Sequence, residues 1–165
     1  MLVLTAAAGW SMPAAAALAC ESVGSPSAGS ALRHARAVRC ELNQERVSHG
    51  LRTLRNDESL ALAARRFSGA MVRQRFFDHV SPDGSTLGKR LSAAGFRMAG
   101  GVGETTGWGS GTEARPAAIV AAWMASPPHR AIILDASFHA VGLGVAPGSP
   151  AGVGGAATVT ADFAG

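Results

Sequence analysis

The sequence predicts an α+β fold: a small, mostly antiparallel sheet covered by helices. Three observations carry this. Helical periodicity dominates from Ala31 to Ala125, strand-like runs are confined to Phe138–Ala146 and Ala156–Phe163, and nowhere do strand and helix alternate as they would in a parallel sheet. The length of 165 residues suits one domain with a proper core, and 47% apolar against 16% charged residues places the chain among globular proteins.

Residues 1–19 carry no charged side chain and end in Ala17-Leu18-Ala19, the small-x-small pattern of an export-leader cleavage site. The run is too short and too rich in alanine for a membrane span, although no Lys or Arg precedes it as in most leaders. The expectation is a signal peptide over 1–19, a small-residue linker over 20–30, a folded domain over 31–165 and a secreted, extracellular product. The chain has two cysteines, and in an exported protein Cys20 and Cys40 are most simply one disulfide. A rival reading makes Cys20 a lipid-bearing N-terminus, but Ala17 is a poor match to the leucine usual there, and Cys40 would be left unpaired.

A first helix is expected from Ala31 to about His49, with Ala35, Val38, Leu42 and Val47 inward and Gly50 as its stop. Asn56 or Asp57 caps a second helix over about Glu58–Arg75, whose stripe is Leu60, Ala64, Phe67 and Met71. Phe76 and Phe77 read as anchors docking that helix. Ser81-Pro82-Asp83-Gly84 is a turn, because proline presets its second position and Asp-Gly tolerates the rest. Ser85 or Thr86 opens a short helix ending near Ala94, with Gly95 after it. Residues 98–112 are glycine-rich and are assigned no element. Pro116 begins a helix to Ala125, Ser126-Pro127-Pro128 ends it, and a helical turn follows over Arg130–Leu134. The two tail strands are joined through Pro147–Gly152.

The formal net charge is +4, from arginines scattered along the chain without interleaved aromatics. That pattern reads as a solvated basic surface, gives no support to nucleic-acid binding, and leaves attraction to an anionic cell-envelope surface as a functional use. Among the five histidines, His34 and His49 read as surface residues and His139 as undecided. His79, between a helix end and a rigid turn, and His129, after two prolines, are held in place, as binding or catalytic groups must be. Glu104 lies in Gly100-Gly101-Val102-Gly103-Glu104-Thr105. A phosphate loop is excluded there, because an acid stands where lysine is required. Glycines that let the backbone run close to its neighbours would bury Glu104, and a buried acid needs a partner such as histidine.

Five segments in order then resemble the CAP superfamily (cysteine-rich secretory proteins, antigen 5 and pathogenesis-related 1), in its small bacterial secreted form. They are Leu42-Asn43-Gln44-Glu45-Arg46 with Gly50-Leu51 and Leu54; Phe77-Asp78-His79-Val80-Ser81-Pro82-Asp83-Gly84; Gly103-Glu104; Trp123-Met124-Ala125-Ser126-Pro127-Pro128-His129-Arg130 with Ile133-Leu134; and Val141-Gly142-Leu143-Gly144 running on to Asp162-Phe163. The resemblance implies a three-layer α-β-α sandwich with a central cleft lined by His79, Glu104 and His129. It departs from the family at Thr105 and Ile132, where asparagine is usual, and at Ser126, where eukaryotic members carry a second cleft glutamate.

Three functions follow from that set. The first is a non-enzymatic, monomeric binding module whose cleft takes a metal, a lipid or a small apolar ligand. The second is a metal-dependent, peptidase-like hydrolase with His79, Glu104 and His129 as zinc ligands, a set that keeps a fourth position for water. No His-Glu-x-x-His run is present, and no general base remains once Glu104 is a ligand. The third is a structural extracellular domain in which the His-Glu-His set is only a core hydrogen-bond network.

Overall fold

The computed structural model describes residues 20–27 and 29–165; the expected signal peptide lies outside the described residues. The elements are α1 (Ala31–Ser48), β1 (Arg55–Asn56), α2 (Glu58–Gln74), α3 (Leu87–Ala93), β2 (Val102–Ser110), a 3-10 turn (Gly111–Ala114), α4 (Pro116–Ala125), α5 (Pro127–Ile133), β3 (Ala140–Pro147) and β4 (Ala156–Ala164). The sheet order is β1-β3-β4-β2. Only the short β1–β3 pairing is parallel; β3–β4 and β4–β2 are antiparallel.

The sheet is the middle of three layers, as the resemblance implies. On one face, Val141, Leu143 and Val145 of β3 and Val159, Ala161 and Phe163 of β4 join Val38 and Leu42 of α1 and Val120 and Trp123 of α4 in the main core. On the other face lies α2. Its start is capped by Asp57, whose Oδ1 accepts the Ser59 and Leu60 amide protons at 3.0 Å each. Leu60, Ala64, Phe67 and Met71 are fully buried, the stripe read from the sequence. The helix lies close because β3 offers no side chain beneath it at Gly142 and Gly144. A Cβ at Gly142 would overlap the backbone of Leu60 and Ala61, and one at Gly144 that of Ala64 and Arg65. Beside this strip, β4 presents Thr158, Thr160 and Asp162, and Ser68 of α2 donates to Thr160 Oγ1 at 2.8 Å or Gly144 O at 3.1 Å.

Several expectations need correction. The segment 98–112 contains β2, not an unassigned stretch. Its alternation is hidden because one face, apart from Thr105, is glycine: Gly103, Gly107 and Gly109 make room for Ile132 and Phe138, for Trp123 and for Glu113. The opposite face carries Glu104 and Thr106 between Val102 and Trp108, so its apolar period is interrupted. β1 is two exposed residues, too short to register as a strand. The turn expected over Arg130–Leu134 begins earlier, at Pro127, because prolines suit the first turn of a helix. Phe77 is 48% exposed and anchors nothing, whereas Phe76 packs on Phe67 with ring centroids 5.8 Å apart.

The arginines are not all solvated, and His34 is not at the surface. His34 is buried on α1, and its burial holds its pKa below the ordinary imidazole value. Arg46 is buried at the end of α1 and donates to four carbonyls: Arg52 at 2.9 Å, Ile133 at 2.7 Å, Asp135 at 2.9 Å and Phe138 at 3.1 Å. The guanidinium thereby satisfies the open end of α5 and fixes the approach to β3. The Cys20–Cys40 disulfide is formed. It fastens the segment before α1 to the body, where Pro26 is also buried and Ser25 donates to Gly111 O at 3.3 Å.

Candidate functional site

β2 is an edge strand, so the two helical layers meet around it. From the α2 side, Arg75 takes a left-handed conformation (φ 54°) and turns the chain out of the helix. Asp78 Oδ1 then accepts the Val80 amide at 3.1 Å, and the turn closes where Gly84 donates to Ser81 O at 2.8 Å. Gly84 sits at φ +75°, a conformation glycine adopts without strain. His79 is fixed between these turns. From the other side, Ser126 separates α4 from α5, and Pro127-Pro128 deliver His129 on the first turn of α5. The rings of His79 and His129 stand 6.3 Å apart.

Glu104 of β2 is buried and joins the set from below. Its Oε1 lies 2.7 Å from His79 Nδ1, and its Oε2 accepts from Arg90 Nη2 of α3. Arg90 also donates to His79 O at 3.0 Å and Ser85 O at 2.9 Å, with its guanidinium 3.5 Å over the Phe67 ring. It thus holds the carboxylate, the histidine backbone and the turn together. Directly across the ladder from Glu104 is Asp162, fully buried.

The charges follow from these contacts. The hydrogen bond to Glu104 raises the His79 pKa, against an opposing effect of partial burial. Burial lowers that of His129, and the His79 charge lowers it further. Burial, then the Glu104 charge, pushes Asp162 well above the usual carboxylate range. Glu104 is thus shared between His79 and Arg90, one oxygen to each.

Of the residues singled out in the sequence, His79 and Glu104 touch, His129 faces His79, and Ser126 lies in the wall beside His129. That wall belongs to an open cavity of about 280 Å³, lined by Phe77, Trp108, Ile119, Trp123, Ser126 and His129. Trp108 and Phe77 are exposed at 37% and 48%, and Trp123 is locked by its indole N–H to Thr106 O at 2.9 Å. His49 and His139 lie exposed and apart from the cleft. Sequence reasoning missed Arg90 and Asp162. Arg90 falls on the Leu87–Leu91–Ala94 stripe of α3, a place where a cation must find a partner. Asp162 is an acid inside an otherwise uncharged buried strand.

Both oxygens of Glu104 are engaged, and among the described residues no group of three or more His, Cys, Asp or Glu side chains is placed to hold a metal ion. Among the described residues Nε2 of His79 and the ring of His129 make no hydrogen bond, and His129 is the one of the two that lines the cavity.

A sheet between helical layers, with a histidine-carboxylate cleft at its edge, defines the class. Residues 41–163 match the CAP family, the cysteine-rich secretory protein family, and the chain belongs to it. The uncharacterized protein YkwD of Bacillus subtilis (strain 168) is 35% identical over 102 residues, covering 62% of this chain and 38% of that one. The chain thus spans well under half the length of that relative. An extracellular protein of Bacillus anthracis containing an SCP domain superposes with a TM-score of 0.67 at 25% identity, over 82% of this chain and 40% of that one. An outer surface protein of Borrelia burgdorferi shares the fold with a TM-score of 0.67 at 15% identity, over 88% and 98% of the two chains. Among the described residues no helix is long and apolar enough to cross a membrane.

Proposed function

We propose that this chain is a secreted binding module, not a hydrolase, and that its ligand seats between Trp108, Phe77 and His129. The observation that carries this reading is the engagement of Glu104. The metal-dependent hydrolase considered above needs Glu104 free to ligate the metal, and Glu104 has one oxygen on His79 and the other on Arg90. Its role is to orient: a carboxylate on Nδ1 holds the His79 ring beside His129 and leaves Nε2 open, the arrangement that supports an imidazole toward a ligand or a metal. Zinc, where it binds, would be held by the two imidazoles of His79 and His129, with Glu104 behind them. The exposed aromatics supply apolar contact for a lipid or small apolar ligand. The extracellular and outer-surface relatives support secretion.

The test is activity against peptide and ester substrates, with and without zinc, for the wild type and a His79→Ala/His129→Ala variant. The binding reading expects no turnover that separates the two proteins. Hydrolysis by the wild type that the double variant lacks would establish the enzyme instead.

A further inference from the structure

The opposite edge of the sheet carries a second groove, remote from the cleft. β1 pairs with only Ala140 and Val141. Its ladder, Arg55 N–H to His139 O at 2.9 Å and Asp57 N–H to Val141 O at 3.1 Å, shows which β3 residues aim their backbone outward. Alternation makes Leu143 and Val145 the next two, and no strand lies beyond them. β3 therefore ends in an unpaired edge, which proteins rarely leave without a partner or a guard. Here α1 and α2 stand as walls on either side of a groove of about 320 Å³ with Leu143 at its floor.

The walls are apolar at depth and basic at the rim. Ala35 and Ala61 are buried beside Leu143, while Arg36 and Arg39 from α1 and Arg65 from α2 line the groove above them. None of these three arginines makes a hydrogen bond or ion pair among the described residues, whereas the single acid of the groove, Glu58, accepts from Asn56 at 2.6 Å. Three guanidinium groups face one carboxylate, so the groove is short of negative charge. In a strand added along β3, successive side chains would point alternately to the α1 wall and the α2 wall, so neighbouring acids would reach both sets of arginines. A second copy of this chain is a poor occupant, because edge-to-edge pairing would bring two such arginine sets together.

We propose that this groove is a docking site for an extended acidic segment of a partner protein, which adds as a strand along β3. The segment pairs with the backbone of Leu143 and Val145, and its carboxylates meet Arg36, Arg39 and Arg65. Pairing fixes direction and register; charge sets the preference for acidic sequence.

The test is fluorescence anisotropy of the mature protein at low salt with a labelled hexapeptide, valine at each end and glutamate between. Its controls are the same peptide N-methylated at alternate residues, inorganic polyphosphate, and phosphatidylglycerol vesicles. The peptide should bind, the N-methylated copy should bind about tenfold more weakly, and so should an Arg36→Gln/Arg39→Gln/Arg65→Gln variant. These arginines lack partners, so the variant should keep the wild-type circular dichroism spectrum; Arg65→Glu alone is the smaller change should it not, with the same loss expected. Equal binding of the N-methylated copy would overturn strand addition. Binding of polyphosphate or vesicles without binding of the peptide would make the groove a polyanion or membrane site and overturn the proposal.

Discussion

Replacing Glu104 with glutamine separates the two partners that share its carboxylate. The amide keeps one acceptor oxygen but sets an NH₂ against either His79 or Arg90. Glu104 and Arg90 side chains are 3% and 8% exposed, so their pair is a buried one; breaking such pairs costs about 3–5 kcal/mol. His79 is 53% exposed, and solvent screening holds its share to about 1 kcal/mol or less. Asp162 offsets part of the loss. The Glu104 charge contributes to its raised pKa, so removing that charge lets Asp162 ionise more readily and face Arg90. The expected cost is about 3 kcal/mol in guanidinium unfolding, the low end of that range. In the wild type, His79 titrates above the ordinary value of 6.5, with its Glu104 hydrogen bond as the largest cause. Its stabilising share is complete below pH 6.5 and fades as pH rises through the raised value, so the gap between wild type and variant should narrow on the alkaline side. Imidazole proton NMR should show the His79 midpoint falling in Glu104→Gln. An unchanged midpoint would refute the view that Glu104 holds and charges this histidine.

Other perturbations test the rest of the account. The Cys20–Cys40 bond closes a loop of 20 residues, so Cys20→Ser/Cys40→Ser should lose about 3 kcal/mol in guanidinium unfolding. Gly144→Ala should cost about 3 kcal/mol by forcing α2 off the sheet, read as a lower midpoint in thermal unfolding. The lowered pKa of buried His34 means that its neutral form stabilises the fold above pH 6.5 and that this contribution is lost as pH falls through the depressed value. His34→Gln should flatten the acid side of the stability profile, whatever it does to stability at neutral pH. Any zinc taken up in calorimetry should depend on the two imidazoles, being lost in His79→Ala/His129→Ala and weakened but retained in Glu104→Gln.

Much of this molecule is legible in its sequence, for reasons that differ by element. The stripe of α2, the Asp57 cap and the Pro-Asp-Gly turn are local signals that tertiary packing did not override. His79 and Glu104 meet as read, because a rigid turn and a glycine-lined segment each leave little freedom. β2 was invisible because its inner face is glycine and Thr105, which give room to Trp123 and Ile132 but no hydrophobic period. Arg90 and Asp162 were missed because their partners lie on other elements: Arg90 acquires its role only where α3 crosses Glu104, and Asp162 only where β4 pairs with β2. His34 and Arg46 went unrecognised as buried because polar residues on α1 read as its outer face.

The claim that the cleft is a binding site formed by His79 and His129 is tested most directly by native mass spectrometry and elemental analysis of natively purified protein, wild type beside His79→Ala/His129→Ala. The account expects the wild type to carry a small molecule or a metal that the folded double variant lacks. Identical bound species on both proteins, or none on either, would contradict it.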